Sequence, residues 1–196
     1  CYLIVMPVTI NGSGTITGII AGGLPNGIIE AADLASGVGG KILQVKQTFK
    51  TDSFSTTSSS LVDVTGMSID ITPSSASNKI LIAIHLGISG GAQYSYAHYV
   101  LLRGSTQIGI GTGATGSNQT NITFATNWNT PNEYVGHAAS FQFLDTPNTT
   151  SATTYKLQVK SGYNNKTLWL NRVNAAYDES YNAKTASTIT AMEVAA

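Results

Sequence analysis

The sequence predicts an all-β fold, a β-sandwich of jelly-roll type preceded by a short glycine-rich segment. Three observations predict it. Only 10% of the 196 residues are charged, against about 25% in an average soluble domain, and Ser, Thr, Asn and Gly take the place of the missing Lys and Glu. That exchange removes the strong helix formers that fill solvated helix surfaces. Apolar residues recur at period two in short runs, and turn clusters rich in Gly, Pro, Asn and Ser separate the runs. No segment carries a convincing amphipathic helix pattern.

The elements follow in order. Residues 1–40 are expected to form an attachment or shaft segment. Their stretch "PVTINGSGTITGIIAGGLPNGIIEAADLASGVGG" is dense in glycine and lacks Lys and Arg. Short β-like pieces at residues 8–10 and 15–17 flank the turn signal Asn11-Gly12, and only residues 30–34 have the makings of a helical turn. So small and glycine-rich a segment cannot build a core of its own, because each ordered glycine costs extra backbone entropy. It is expected to order against neighbouring chains or a docking surface.

Residues 41–196 are expected to form the head. Strands are predicted at 41–49, 61–64, 67–72, 79–88, 97–103, 107–110, 134–144, 155–159, 167–173 and 187–194, with Thr65-Gly66 as a turn. In the fourth of these, Ile80, Ile82, Ile84, Leu86 and Ile88 share one face. The opposite face, with Leu81, Ala83 and His85, is also largely apolar, so both faces should be covered and Leu81, Ala83 and His85 are candidates for a subunit interface. Tyr155, Leu157 and Val159 alternate with Lys156, Gln158 and Lys160, which is the pattern of a strand with one wet face.

Charge narrows the function classes. Lys plus Arg and Asp plus Glu both total 10, giving a formal net charge of zero. No basic field gathers phosphates, so nucleic acid is not an expected partner. No run of 18 apolar residues is present, so no membrane-inserting helix is expected. The single cysteine, Cys1, leaves no partner for an intramolecular disulfide within these residues, and stability must come from packing or oligomerisation.

Two enzyme-like patterns occur, and both are read as chance matches. Gly87-Ile88-Ser89-Gly90-Gly91 fits G-x-S-x-G, but that elbow needs a strand-to-helix turn that exposes the hydroxyl. Here the residues that follow, 92–99, read as a Tyr-rich loop entering another strand, and no histidine follows Asp145. Gly111-Thr112-Gly113-Ala114-Thr115-Gly116 fits G-x-G-x-x-G, but the polar residues 117–121 offer no helix N-terminus for a pyrophosphate. It reads as a glycine-rich loop without cofactor. His85, His98 and His137 lack metal-ligand spacing, and the acidic pair Asp178-Glu179 has no Asp-rich calcium loop around it. No catalytic, cofactor or metal residue is therefore assigned.

The aromatic residues are more informative. Tyr94, Tyr96, Tyr99, Trp128, Tyr163, Tyr177 and Tyr181 fall in or beside predicted loops, among Asn, Gln, Ser and Gly. Flat rings with a polar edge beside adaptable amides suit recognition of a host-surface glycan or protein, and equally suit a subunit contact.

The stretches "GGKILQVKQTFKTDSFSTTSSSLVDVTGMSIDITPSSASNKILIAIHLGI", "LLRGSTQIGIG", "FLDTPNTTSATTYKLQVKS" and "STITAMEVAA", with the opening "MPVTINGSGTITGI", resemble tail fibre and other virion structural proteins of marine and cyanobacterial bacteriophages. The resemblance spans well over half of the chain. It implies a phage structural protein, commonly a homotrimer, with a β-rich head, on either the tail or the capsid. The reading favoured on that basis is a non-enzymatic fibre or appendage at the virion surface, with the head used for host adhesion. Residues 1–40 would join it to other virion proteins. It transfers no catalytic residue. Three alternatives stay open: a capsid decoration or head-fibre protein that stabilises the particle; of another class, a surface-polysaccharide hydrolase acting through Ser89; and a bacterial surface or sheath protein that assembles without any phage.

Overall fold

Alternating side chains decide the architecture. The computed structural model describes residues 9–10, 16–17, 41–128, 136–173, 180 and 182–196, and none of these is helical. The chain divides into two units, residues 1–40 and 41–196. In the first, β1 (Thr9–Ile10) pairs antiparallel with β2 (Ile16–Thr17), with Ile10 opposite Ile16. The helical turn predicted at 30–34 and the expected docking contacts lie outside the described residues.

The second unit contains β3 (Ile42–Lys50), β4 (Phe54–Thr56), β5 (Val62–Ile71), β6 (Lys79–Gly91), β7 (Ser95–Arg103), β8 (Thr106–Ile108), β9 (Phe124–Trp128), β10 (Gly136–Asp145), β11 (Thr153–Ser161), β12 (Leu168–Leu170) and β13 (Ser187–Val194). Three pairs of these lie end to end and act as single interrupted strands. β12 and β13 follow one another along the same edge of β6, β3 and β4 follow one another along β13 and β12, and β8 and β9 share one edge of β7. Counted this way, eight long strands form two antiparallel sheets. The first sheet runs β3/β4, β12/β13, β6, β10, and the second runs β5, β11, β7, β8/β9. The first strand pairs with the eighth, the second with the seventh, the third with the sixth and the fourth with the fifth. That nesting is the jelly roll.

The core lies between the sheets. Ile80, Ile82, Ile84 and Leu86 of β6 meet Met67, Ile69 and Ile71 of β5, Tyr99 and Leu101 of β7, and Tyr155, Leu157 and Val159 of β11. Each such side chain contributes roughly 1.5–3 kcal/mol on burial. Tyr99, Phe124 and Phe141 add a stack that crosses from the second sheet to the first, with ring centroids 4.8 and 5.6 Å apart.

The structure corrects several local expectations. Thr65-Gly66 is not a turn. β5 runs through it, with a register shift against β11 and Gly66 at φ 81, so the glycine serves a bulge that keeps both halves in one strand. The even-numbered row of β6 ends at Leu86. A second bulge, opposite residues 137–139, reverses the alternation, so Ser89 points inward and Ile88 is only half-buried. Strands β4 and β9 were not expected, because β4 is three residues with one aromatic, Phe54, and β9 is short with Ala, Thr and Asn between Phe124 and Trp128.

Asn171 holds the interrupted strand together. It is buried at the end of β12 with φ 64, a conformation asparagine tolerates. Its Nδ2 donates to the carbonyls of Lys50 and Asp52 at 3.0 Å, and its Oδ1 accepts from Ser187 Oγ at 2.6 Å. The chain thus leaves the sheet after β12 and returns at β13 with its neighbours bridged.

Candidate functional site

The outer face of the second sheet carries a cleft built from two loops and two strands. Tyr96 and His98 project from the outer side of β7, while Ala97, Tyr99 and Leu101 project inward. On the neighbouring β11, Lys160 stands opposite His98 and Ser161 opposite Ala97. Gly162 extends this pairing by donating its amide to the Tyr96 carbonyl at 2.7 Å. The missing side chain matters here. A Cβ on Gly162 would lie 2.6 Å from both Cε1 and Nε2 of His98, so the imidazole rests directly on the glycine backbone.

Tyrosines wall this floor. Tyr163 meets Tyr96 edge to face, with centroids 6.1 Å apart and planes at 80°, a favoured aromatic geometry. Tyr94 enters from the turn between β6 and β7 with φ 61. A bulky residue in the left-handed region is a conformational outlier, held at a cost of about 1–3 kcal/mol by its surroundings. Asn164 and Asn165, just after Tyr163, are also left-handed, at φ 47 and 49. Both tyrosine-bearing loops are therefore sharply bent. Tyr94, Tyr96, His98, Gly162 and Tyr163 enclose a cavity of about 560 Å³.

His98 also lines a second cavity, of about 500 Å³, formed with residues 111, 113, 114 and 118–122. The glycine-rich loop is strapped by its own amides. The Ala114 amide donates to Asn121 Oδ1 at 3.0 Å, and the Thr115 amide donates to Gln119 Oε1 at 2.8 Å. Lys160 reaches this loop through Thr120 Oγ1 at 3.3 Å. Burial, and then the Lys160 charge, hold the His98 pKa below the ordinary histidine value, so the ring is neutral near pH 7. Its Nδ1 is buried without a hydrogen-bond partner.

Three of the predicted aromatic residues, Tyr94, Tyr96 and Tyr163, are thus brought together. Two are not. Tyr99 and Trp128 sit within β7 and β9, each 2% exposed, and belong to the core rather than to loops. The sequence held the signal: Ala97, Tyr99 and Leu101 share one parity, which makes residues 95–103 a strand and confines the loop to residues 92–94. Tyr177, Tyr181, Asp178 and Glu179 lie outside the described residues. His98, Gly162 and Lys160 were missed as site residues, because only the β7–β11 register brings them together.

Ser89 lies within β6 and is fully buried. Its Oγ is 2.6 Å from Tyr99 Oη and 3.3 Å from Thr126 Oγ1. The segment is strand interior, and it lacks the exposed hydroxyl of a nucleophile elbow. Burial pushes the Tyr99 phenol up, against its bonds to Ser89 and Thr126.

The outer face of the first sheet is different. Leu81 and Ala83 are half-buried there and His85 is exposed, with Nδ1 3.0 Å from Ser140 Oγ. Strand registers set Val45, Met192, Leu81 and Leu144 in one row across four neighbouring strands. Val45 is 57% and Leu144 46% exposed, and Phe49 lies exposed four residues further along the same side of β3.

No protein family and no curated protein matches this chain. Among solved structures it is similar to the structure of infectious bursal disease virus Gx strain, at 16% identity and a TM-score of 0.37. The match covers 78% of this chain and 38% of that one, so the chain spans well under half the length of that relative.

Proposed function

We propose that this chain is a non-enzymatic structural protein of a bacteriophage particle, a fibre or appendage whose jelly-roll head sits on the virion surface and adheres to the host. The cleft of Tyr94, Tyr96 and Tyr163 over His98 carries the reading. It is concave and aromatic, and two of its tyrosines, Tyr94 and Tyr163, come from bent loops beside Tyr96 on a strand of the sheet, which is where binding residues concentrate. The resemblance of the strand and turn segments to phage virion proteins supports the same role.

Assembly as a homotrimer is supported by the opposite face. The row from Val45 to Leu144 is uncharged, and the chain has zero formal net charge, so identical copies meet without repulsion. The same apolar row favours one second reading, capsid decoration, in which this face clamps capsid subunits. Cryo-electron microscopy of purified particles separates an appendage from a capsid-bound position.

Adhesion is tested by binding the purified full chain to immobilised bacterial surface polysaccharides beside a Tyr163→Ala variant. Saturable binding that the variant loses supports the reading. Equal retention by both proteins removes the cleft from it.

A further inference from the structure

The cleft and its neighbouring cavity have a chemical polarity, and it names a ligand class. This inference rests on the adhesion reading above. We infer that the two cavities form one extended site for an acidic saccharide, with a sugar face on the tyrosines and a carboxylate over the amide loop beside Lys160.

The two cavities share a wall. His98 lines both cavities, so a ligand longer than one ring passes over the imidazole from one to the other. The two volumes, about 560 and 500 Å³, each suit a unit of small-ligand size.

The far end of the site is rich in donors. Backbone amides already occupy the carbonyl oxygens of Asn121 and Gln119. Their NH2 groups have no hydrogen-bond partner among the described residues, which leaves N–H donors to a ligand. Lys160 stands next to them, and its described contact is the neutral Thr120 hydroxyl. No Asp or Glu lines either cavity among the described residues. A surface with N–H donors and a cation matches an acceptor-only group, and a carboxylate gains a charge-assisted bond there.

Lys156, on the same face of β11, differs from Lys160. Lys156 is spoken for: its Nζ lies 2.9 Å from Asp63 Oδ2, and Gln158 donates to Asp63 Oδ1 at 2.7 Å. The sheet thus neutralises one lysine with a carboxylate of its own and leaves the one beside the cleft to an outside anion.

The test uses the full chain on an array of hexuronate-containing bacterial capsular polysaccharides, each beside its carboxyl-reduced form, with a neutral dextran and a sulfated galactan. The expected result is binding to hexuronate polymers that weakens about tenfold on carboxyl reduction, the size of one lost charge-assisted bond. Lys160→Gln should erase that tenfold preference, Lys156→Gln should keep it, and Tyr163→Ala should lose acidic and reduced forms alike. Equal binding of acidic and reduced forms by the unaltered chain overturns the carboxylate assignment and leaves the adhesive cleft standing. Binding to the sulfated galactan alone also overturns it. Binding to no polysaccharide overturns both.

Discussion

Glu193, buried at 1% exposure near the end of β13, accepts a 2.6 Å hydrogen bond from Nδ2 of Asn78. Three more donors complete the shell: Gln44 Nε2 at 2.6 Å, the Ser74 amide at 2.6 Å and Ser74 Oγ at 2.7 Å. No lysine or arginine pairs with it among the described residues. The carboxylate is held by neutral donors alone, and it ties β3, the turn before β6 and the last strand into one corner.

A pH dependence follows from this corner. Burial works to raise the Glu193 pKa, but the bonds from Asn78, Gln44 and Ser74 outweigh it and bring the pKa down to about 2. The folded value lies below the unfolded one, so the stabilisation is complete above the unfolded value of 4.5 and disappears as pH falls toward 2. The shift corresponds to about 3 kcal/mol. Urea denaturation should show Glu193→Gln less stable than the parent by about that amount at pH 7, with the gap closing by pH 2. A gap that persists at pH 2 would mean that ionisation is not what stabilises the corner.

Asp145, Arg103 and Tyr155 join the two sheets. Arg103 Nη1 lies 2.9 Å from both Asp145 oxygens, and Tyr155 Oη donates to Oδ2 at 2.6 Å. Burial, then the carboxylate it bonds, drives the Tyr155 phenol far above its ordinary pKa. Tyr155→Phe should cost about 1–2 kcal/mol, one buried charge-assisted bond. Asp145→Ala should cost about 3 kcal/mol or more, because it strands both partners. The double variant should cost clearly less than the sum of the two, which a thermodynamic cycle measures.

How much of this was legible in the sequence depends on range. The paired faces of β6 and the wet face of β11 follow from period-two patterning alone, and so does the sandwich. The bulges at Gly66 and after Leu86 were not legible, since one extra residue reverses a face without changing composition. The jelly-roll nesting was expected as a class. The tyrosine cleft was half legible: aromatic loop residues suggested it, but Lys160 and His98 are 62 positions apart and meet only through strand register. Asn171 and Glu193 carried no signal, because a buried polar residue looks the same in sequence as an exposed one.

Glycine substitutions should separate crowding from conformation. A Cβ on Gly87 would lie 2.3 Å from the Ala186 carbonyl oxygen, where the chain returns to the sheet. Gly104 has φ 59 but open space around it. Gly104→Ala should therefore cost only about 1 kcal/mol of left-handed strain, and Gly87→Ala distinctly more, through backbone displacement. Thermal melts that rank them the other way would place the strain outside the β6 edge.

Ser89→Ala tests the non-enzymatic reading. The variant removes the 2.6 Å partner of the buried Tyr99 hydroxyl and should lower stability by about 1–3 kcal/mol. Polysaccharide binding should be unchanged, since Ser89 faces the core. If the parent cleaved a polysaccharide and a folded Ser89→Ala variant did not, the hydrolase alternative would return.

The apolar row gives the remaining prediction. Leu81 and Leu144 are opposite one another across β6 and β10, on the face proposed for identical neighbours. Their side chains point away from the core, so lysine at either position should leave the sandwich intact. Multi-angle light scattering should find the parent as a trimer and Leu81→Lys or Leu144→Lys as monomers with unchanged β-sheet circular dichroism. Burying an unpaired ammonium costs more than a shared apolar contact returns. A parent that is monomeric at micromolar concentration would defeat self-assembly through this face and leave capsid docking as its use.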